Sequence, residues 1–432
     1  MILRDAVFGL VSFESDEEGI IRKLVDAAEV QRLRRVRQLG VASLAFPGAE
    51  HTRFSHALGA AFVMKQLIAR LRSIQGDLPF WQQVTSDRAS DALAAAMLHD
   101  LGHGPLSHLF EDAIPGTPHH EVWTERIVLD PSTDVNRILS AHDPGMPARV
   151  AALVRGEHPL PYLANSVSGI FDVDRCDYLL RDAHATGVRY GVFDLDWLLR
   201  SLRMMPGASN EAPELAIDGA KGLPAIEAFL IARLFMFQQV YLHKATRSAE
   251  WMIRAVLARA AKLIEAGIPL EGAPRGIALA AATGDLPLAD YLDLDDAVLS
   301  VAMHAWQSCK DAGLADLTKR VRARQLHKTL ELFGEQATPV GQADCLAIAR
   351  EIAVAHGLDP ELHVGIDVAS DTPYSTGKEP MVVYAKGAPR KLSEVSFLLA
   401  RLAGQTLSRV RLVFAGELRE EITRALSQAP SP

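Results

Sequence analysis

The chain has 432 residues, of which 49% are hydrophobic and 23% are charged, and its formal net charge at pH 7 is −8. A chain of this length and apolar content can bury a large core, which excludes an intrinsically disordered protein. The net negative charge argues against a protein whose main activity is to bind the nucleic-acid backbone. Nucleic acid is therefore a permitted partner but not an indicated one.

The cysteine content and the N-terminus indicate a cellular compartment. Cys176, Cys309 and Cys345 have no paired spacing, which is typical of a reduced, cytoplasmic protein. The N-terminus has no basic segment followed by a long apolar run, and no uninterrupted apolar stretch reaches the length of a membrane span. We therefore expect a cytoplasmic protein with neither a signal peptide nor a membrane partner.

The N-terminal part of the chain is predicted to contain one strand and several helices. Residues 6–13 are predicted to form a short strand, and residues 20–25 a helix that a preceding acidic segment caps. Residues 31–39 are predicted to form an arginine-rich helix. Residues 54–71 carry apolar side chains at helical spacing, which predicts a helix with His56 near its start.

The densest group of titratable side chains lies in residues 99–108, which read His-Asp-Leu-Gly-His-Gly-Pro-Leu-Ser-His. The helix predicted over residues 89–98 ends at this segment, where Gly102 is expected to cap it. Pro105 suits the first turn of the next helix. Several imidazoles beside a carboxylate are costly to hold near a core unless they serve a function. This segment therefore predicts an active site.

Helices continue into the middle of the chain. Residues 168–183 are predicted to form a helix, and three of its polar side chains fall at i, i+4 and i+8 on one face: Asp174, Tyr178 and Asp182. Proline, glycine and a turn sequence within residues 202–224 predict a β-hairpin that interrupts the helical body. Helices are predicted to resume over residues 225–266 and beyond.

After about residue 359 the pattern changes to that of a small α/β unit. Strands are predicted over residues 363–369, 381–384 and 410–414, with helices over residues 392–403 and 417–427. The chain is accordingly divided into an N-terminal strand with arginine-rich helices (1–45), a core that holds the His-Asp segment (46–200), a hairpin with a helical extension (201–358) and a C-terminal α/β subdomain (359–432).

Four residues spread along the chain form a candidate metal site. The adjacent pair His99 and Asp100 offers one imidazole and one carboxylate, His56 lies upstream, and Asp174 lies downstream. Two imidazoles with two carboxylates suit a borderline divalent ion that keeps open positions for water or substrate. A closed structural zinc site would use cysteine instead. The set therefore favours a metal that activates water toward a phosphate ester.

The ordered motifs resemble the HD-domain deoxynucleoside triphosphate triphosphohydrolases, the family of the human SAM- and HD-domain enzyme and its bacterial relatives. The matching segments are residues 31–40, 46–56, 99–108, 172–178 and 241–244, and the single residue Arg233 matches as well. The resemblance implies a mainly α fold: an HD-domain helical core over residues 46–200, a small β-hairpin insertion and a small C-terminal α/β subdomain. The extension over residues 201–358 would complete the substrate site and supply an oligomer interface.

The resemblance also implies an activity, the metal-dependent hydrolysis of deoxynucleoside triphosphates to deoxynucleoside and inorganic triphosphate. One divalent transition metal, Mn, Fe, Co, Ni or Zn, would act with or without Mg²⁺, and the enzyme would be a homodimer or homotetramer. The metal ligands would be His56, His99, Asp100 and Asp174. The residues around the scissile phosphate would be His103, His108, Glu111 and His120.

Substrate-binding residues follow from the same resemblance. The triphosphate would be bound by Arg53, Arg175, Arg233 and Lys244. The 3′-hydroxyl would be held by Gln38 and Asp182. The sugar would pack against Leu39, Tyr178 and Tyr241, where a ribose 2′-hydroxyl would not fit.

Three alternatives stay open on the sequence. An HD-type phosphodiesterase acting on cyclic nucleotides or oligonucleotides would share the metal residues but would not need the sugar-packing residues. A nucleotide-sensing or nucleic-acid-binding regulator with weak or no catalysis would not need the complete metal set. Within the site itself, His119 is chemically as good a candidate as His120.

Overall fold

The computed structural model of the protein describes residues 1–76, 78–169, 171–205, 212–375, 381–384, 386 and 388–428. Most of these residues are helical, and the predicted mainly α fold with small sheets is confirmed. In the first half of the chain the helices are α1 (Gly19–Leu24), α2 (Ala28–Arg32), α3 (Arg53–Ile74), α4 (Ser86–Leu98), α5 (His108–Ala113), α6 (His120–Leu129), α7 (Asp134–His142), α8 (Met146–Val154), α9 (Pro161–Ser168), α10 (Val173–Thr186) and α11 (Leu195–Arg200).

The second half contains further helices and most of the strands. The helices are α12 (Leu223–Met236), α13 (Lys244–Glu265), α14 (Arg275–Thr283), α15 (Leu288–Leu292), α16 (Asp296–Trp306), α17 (Ala312–Arg322), α18 (Pro339–Ala355), α19 (Pro360–His363), α20 (Leu392–Val395), α21 (Phe397–Leu402) and α22 (Arg419–Gln428). The strands of the whole chain are β1 (Ile2–Asp5), β2 (Gly9–Ser12), β3 (Leu202–Met205), β4 (Glu214–Asp218), β5 (Lys328–Glu331), β6 (Val364–Asp371), β7 (Met381–Val383), β8 (Arg390–Lys391) and β9 (Leu407–Phe414).

The structure changes two predictions near the N-terminus. The strand predicted over residues 6–13 is present but shorter, as β2, and it forms a hairpin with the unpredicted β1. The turn between them forms where Asp5 accepts two backbone hydrogen bonds. The arginine-rich helix predicted over residues 31–39 ends early, because α2 stops at Arg32 and one 3-10 turn follows. The chain then becomes extended so that Arg37 pairs with Thr52. Tertiary partners here override local helix propensity.

The helical core is built around α3, which packs against α4 and α10. The predicted helix over residues 54–71 is confirmed as α3, and α4 contains the predicted residues 89–98. Fully buried small side chains, such as Ala60 and Ala61 on α3 and Ala94 and Ala95 on α4, let these helices approach closely. The predicted helix over residues 168–183 begins later, at the start of α10.

Residues Leu223–Tyr241 form a helical stretch that is long and apolar enough, by length and composition alone, to cross a membrane. The stretch comprises α12 and a π-helical turn, Phe237–Tyr241. Phe229 and Leu230 on α12 are buried in the helical core. The sequence had suggested no run of this length, because charged Glu227 and Arg233 interrupt it.

The sheets differ in extent from the prediction. The hairpin within residues 202–224 is confirmed as the antiparallel pair β3 and β4, and residues 206–211 between the two strands lie outside the described residues. It is extended by β7, which pairs parallel to β4, and then by β8. The strands β5, β9 and β6 form a separate sheet. Because β5 belongs to it, the C-terminal sheet draws in residues that the sequence division assigned to the preceding segment.

A buried histidine pair lies where the C-terminal sheet meets the helical extension. His327 precedes β5, is 3% exposed, and its ring lies 5.4 Å from that of His363. Its Nε2 atom faces the Leu362 carbonyl at 3.3 Å. Burial and the neighbouring His363 and Arg320 lower the pKa of His327 to about 3, against opposing contributions from the Leu362 carbonyl and Glu417.

Acid is therefore expected to destabilise the protein through His327. Between pH 6.5 and 3 the unfolded imidazole binds a proton that the folded one rejects, so stability present above pH 6.5 is lost as the pH falls. When the pH is lowered from 7 to 5, the unfolding free energy of a His327→Gln variant should fall by about 2 kcal/mol less than that of the parent. Urea denaturation at both pH values measures this. His304→Gln, on an exposed face of α16, is the control, and an equal pH dependence in parent and His327→Gln would contradict the assignment.

Candidate active site

Four side chains from three helices converge in the core. The first turn of α3 supplies His56, the C-terminal end of α4 leads into His99 and Asp100, and the first turn of α10 supplies Asp174. The Nε2 atoms of His56 and His99 lie 3.2 Å apart, and Asp174 Oδ1 lies 3.1 Å and 3.4 Å from them. Oxygens of Asp100 lie 3.6 Å and 3.5 Å from the same two nitrogens. The structure thus brings the predicted metal ligands together.

A buried acid orients His56 from behind. His56 Nδ1 lies 2.7 Å from Asp177 Oδ2, and Arg181 binds both oxygens of Asp177 at 2.8 Å while also binding Asp5. A carboxylate behind an imidazole fixes its tautomer and leaves Nε2 for a metal. Gly59 lies one turn after His56, and a Cβ atom there would overlap Asp177 and Arg181. The glycine therefore allows α3 and α10 to approach at this point.

The charges of the site fit a divalent cation. Burial disfavours protonation of His56, yet hydrogen bonds and charge from Asp174 and Asp177 raise its pKa to about 10. Such an excess of buried carboxylate calls for positive charge at this point. The ligand atoms of His56, His99 and Asp174 lie within 4.8 Å of one another. Nitrogen and oxygen donors in this number suit Mn, Fe, Co, Ni or Zn, and these residues together with Asp100 would hold the ion.

A second cluster surrounds Glu111. The His103 ring stacks on His120 with centroids 3.8 Å apart, and His108 packs edge-on against both at 5.0 Å. Burial of Glu111 opposes its ionisation, but hydrogen bonds from His108 and His120 hold the pKa of this carboxyl well below its usual range. His103 Nε2 lies 3.2 Å from Asp100 Oδ1. The predicted catalytic residues therefore form one group that touches the metal-ligand group.

The position of α6 leaves the side chain of His119 exposed and places that of His120 inside the site. The His119 side chain is 76% exposed, whereas that of His120 is 18% exposed and stacks on His103. The backbone N–H of Gly102 donates to Thr124 Oγ1 at 2.9 Å, and a Cβ atom at Gly102 would overlap the His120 carbonyl. The prediction that Gly102 caps a helix is therefore wrong, since this glycine lets α6 pack against the His-Asp segment.

The turn before α5 is strained and held by two charged side chains. Leu106 and Ser107 have φ of 54° and 59°, a conformation that is costly for residues other than glycine. Arg53 donates to Ser107 Oγ from Nε and Nη2 at 3.1 Å and 2.9 Å, and Asp296 accepts from the Leu106 N–H at 2.7 Å. Pro105 thus lies in this turn, and its predicted place in the first turn of a helix is wrong.

A cavity of about 620 Å³ opens beside both clusters. Its walls come from the start of α3, from α5, α10 and α13, and from residues 368–370 of β6. The predicted site residues that line it are Gln38, Leu39, Arg53, His108, Tyr178, Asp182 and Tyr241. A pocket of this volume is suited to a ligand of nucleotide size.

One wall of the cavity is a hydrogen-bonded group around Asp182. His51 Nε2 lies 2.7 Å from Asp182 Oδ1, and the Tyr241 hydroxyl donates to Asp182 Oδ2 at 2.8 Å. Tyr241 lies in the π-helical turn, and its ring centroid is 6.3 Å from that of Tyr178. Gln38 Oε1 is buried without a hydrogen-bond partner among the described residues. The oxygens of Asp182 and Gln38 on this wall can accept a hydrogen bond from a ligand hydroxyl beside the two aromatic rings.

The four predicted triphosphate-binding residues differ in whether they line the cavity and in which groups they bind. Arg53 lines the cavity and also binds Asp100. Arg175 binds Asp172 in the first turn of α10. Arg233 is held by Asp371 and Pro373. Lys244 is exposed at the start of α13 and is not among the residues that line the cavity.

Sequence reasoning missed several residues that support the site. Asp177 lies three positions after Asp174 on α10, a helical spacing that could have suggested a shared face. His51 lies in the matching segment of residues 46–56, close before His56, and its imidazole was a visible candidate. Ser107 and Asp296 gave no usable signal, because their roles depend on the path of a strained turn and on a helix distant in sequence.

Comparison with known proteins agrees with this geometry. Residues 53–182 match the HD domain family, and residues 193–268 match the family described as the HD associated region. The uncharacterized protein YwfO of Bacillus subtilis is 33% identical over 93% of this chain and 89% of its own length. The deoxynucleoside triphosphate triphosphohydrolase SAMHD1 of Bos taurus is 25% identical over 84% of this chain and 64% of its own.

A solved structure is also similar. The crystal structure of a phosphohydrolase from Bacteroides thetaiotaomicron superposes with a TM-score of 0.81 at 28% identity, covering 96% of this chain and 99% of that one. The metal-ligand group, the neighbouring histidine cluster and these similarities lead to one assignment. The chain belongs to the HD-domain phosphohydrolase family.

Proposed function

We propose that this HD-domain phosphohydrolase cleaves deoxynucleoside triphosphates into deoxynucleoside and inorganic triphosphate. The observation that carries the proposal is the hydrogen-bonded group in the cavity wall, where Tyr241 and His51 both bind Asp182, two turns along α10 from the predicted metal ligand Asp174. A deoxyribose would lie against this wall while the α-phosphate reaches the metal ligands. SAMHD1 relatives, whose name states this activity, support the same substrate class.

In the proposed reaction the metal ligands and Arg53 have different roles. A divalent ion held by His56, His99, Asp100 and Asp174 would supply Lewis-acid activation of the phosphate ester and of water. Arg53, with a guanidinium beside Asp100 and Ser107, would bind phosphate oxygens and offset their charge.

Breaking the bond between the α-phosphorus and the 5′-oxygen requires a proton on the leaving oxygen. His108 and His120 are the donors in this proposal, because both direct Nδ1 toward Glu111 and so keep Nε2 to deliver the proton. Glu111 holds both imidazoles in place through Nδ1, and His103 stacks on the ring of His120. The incoming water oxygen stays on the triphosphate, and the nucleoside leaves with its 5′-hydroxyl restored.

Product analysis tests the proposed function. The purified protein would be incubated with each deoxynucleoside triphosphate, singly and mixed, in Mn²⁺, Fe²⁺, Co²⁺ or Mg²⁺, and the products separated by ion exchange. We expect deoxynucleoside and intact inorganic triphosphate. Release of pyrophosphate would contradict cleavage at the 5′-oxygen. Cleavage of cyclic nucleotides or oligonucleotides alone would instead establish the HD-type phosphodiesterase alternative.

Selectivity for deoxyribose is expected to depend on Tyr241. Replacing it with alanine opens the wall beside Asp182, so a ribose 2′-hydroxyl gains space and the sugar loses packing. We expect the ratio of kcat/KM for a deoxynucleotide over the matching ribonucleotide to fall by about 10- to 100-fold, the range for one specific pocket contact. Phe235→Ala removes an exposed aromatic ring from α12 and serves as the control. An unchanged ratio in Tyr241→Ala would count against the sugar-binding role.

The proposal includes assembly and location. A homodimer or homotetramer is proposed, by analogy with family members, with the helices after residue 225 as the interface. The paucity and spacing of the cysteines support a cytoplasmic enzyme. Size-exclusion chromatography with light scattering, with and without deoxynucleotides, measures the assembly.

A further inference from the structure

Arg233 on α12 is held by the C-terminal part of the chain. Its Nη1 atom donates to the Pro373 carbonyl at 2.6 Å, and Nη2 lies 3.3 Å and 3.4 Å from the two oxygens of Asp371. The guanidinium also lies 5.4 Å from the centre of the Phe237 ring. The Arg233 and Asp371 side chains are 14% and 17% exposed, so the contact is largely shielded from water.

One donor of Arg233 has no partner. The Nε atom is buried and makes no hydrogen bond within the described part of the chain. A buried donor without an acceptor is costly, and an anionic oxygen is the acceptor that a guanidinium binds most strongly. Arg233 is not among the residues that line the cavity, but its guanidinium packs over Phe237, which is.

Strand β6 joins this contact to the cavity. Residues 368–370 of β6 line the cavity, while Asp367 and Asp371 on either side bind arginines of two different helices. Asp367 Oδ1 lies 2.5 Å from Arg247 Nη2 on α13, and Asp371 binds Arg233 on α12. The C-terminal sheet is thus attached on both sides of the stretch that forms a cavity wall.

We propose that Asp371, together with the Pro373 carbonyl, is a positioning residue that orients Arg233 toward the triphosphate. The inference rests on the proposed function and on the triphosphate-binding role that the family resemblance implies for Arg233. A free arginine side chain has many rotamers. Because Asp371 and the Pro373 carbonyl already hold two of its nitrogens, binding through the unpartnered Nε would cost less side-chain entropy. The C-terminal subdomain would therefore contribute to substrate affinity although it lies outside the matched HD regions.

Asp371 would instead weaken triphosphate binding if it competed with phosphate for the guanidinium. The direction in which triphosphate affinity changes when Asp371 is removed distinguishes positioning from competition. Positioning predicts weaker triphosphate binding when Asp371 is removed, whereas competition predicts stronger binding. We measure the dissociation constant of inorganic triphosphate by calorimetry with the full-length, Mn²⁺-loaded protein. KM and kcat are measured with an equimolar mixture of the four deoxynucleoside triphosphates.

For Asp371→Ala we expect the dissociation constant of inorganic triphosphate and KM to rise about tenfold, the equivalent of about 1.4 kcal/mol, with kcat changed less than about twofold. Asp371→Asn keeps an acceptor at the same place and should recover part of the affinity. Asp344→Ala, on an exposed face of α18, a helix that packs against β6, should leave both constants unchanged. In an Arg233→Ala background, Asp371→Ala should add nothing, because Asp371 acts through Arg233.

The two proposals fail in different ways. If the parent protein cleaves no deoxynucleotide, the proposed function is wrong. The binding measurement with inorganic triphosphate still tests whether Asp371 positions Arg233. The positioning role is overturned if the parent does not bind inorganic triphosphate, if Asp371→Ala binds it as tightly as the parent or more tightly, or if the Asp371 and Arg233 substitutions have additive effects. Circular dichroism spectra of Asp371→Asn would show whether any loss reflects unfolding.

Discussion

Replacing His99 and Asp100 together with alanine is expected to abolish turnover and metal binding. Two of the four predicted ligands are lost, and the remaining His56 and Asp174 offer too few donors to hold a divalent ion. A metal contributes several kcal/mol to hydrolysis of a phosphate ester, and each 1.36 kcal/mol is tenfold in rate. We therefore expect kcat to fall by at least about 10³-fold.

The sequence offers a matched control for this experiment. His142 and Asp143 form the same adjacent pair at the end of α7, where His142 is exposed and Asp143 is half-buried beside Arg149, in contact with no predicted metal ligand among the described residues. The variant in which both become alanine should keep its metal content and activity. Metal is measured by mass spectrometry of the purified proteins, and turnover by release of inorganic triphosphate. Full activity in a metal-free His99→Ala, Asp100→Ala protein would overturn the assigned chemistry.

The second large effect is expected at Asp177, which no resemblance to the family singled out. This carboxylate is fully buried between His56 and Arg181. In Asp177→Ala, Arg181 keeps only Asp5 as a charged partner and the His56 Nδ1 atom loses its own partner. Removing one member of a buried ion pair costs about 3–5 kcal/mol, so the unfolding free energy should fall by that amount.

Asp177→Asn separates folding from metal binding. Asparagine keeps the shape and one acceptor, so the fold should persist while the negative charge behind His56 is lost. Substitution of such an outer partner typically lowers metal affinity by about 10- to 100-fold. We expect that loss in Mn²⁺ titrations, with a parallel loss of activity at limiting metal.

Asp91→Asn is the control for Asp177→Asn. Asp91 is a buried acid on α4 that binds Arg149 through both oxygens at 2.6 Å and 3.1 Å, without contact to the metal-ligand group. It should lower stability and leave metal affinity unchanged. If Asp91→Asn and Asp177→Asn lowered metal affinity equally, the loss would reflect general destabilisation, and Asp177 would have no special role.

Much of the candidate site could be predicted from the order of residues along the chain. His56, His99, Asp100 and Asp174 were identified because a metal needs ligands of particular chemistry, and side-chain chemistry is written in the sequence. The helices that carry them, α3, α4 and α10, were also predicted, since the spacing of apolar residues reports which face is buried. The catalytic cluster around Glu111 came from family resemblance.

The remaining features depend on contacts between segments that are far apart in sequence. The helix predicted over residues 31–39 fails because Arg37 pairs with Thr52 and Asp296 accepts the Arg37 N–H. The strain at Ser107 is tolerated because Arg53 holds that turn. Neither outcome can be read from local propensity, since each depends on the energy of a partner supplied by another part of the fold.

The sequence by itself thus determined the helical class of the protein, the metal chemistry and the residues able to perform it. Only the tertiary structure decided how they are supported. Asp177 behind His56, and Asp371 beside Arg233, act through hydrogen bonds whose partners lie 121 and 138 positions away. Local pattern reports which side chains a segment carries and which face it buries. The choice of partner for a buried charge is made only when the helices and sheets pack together.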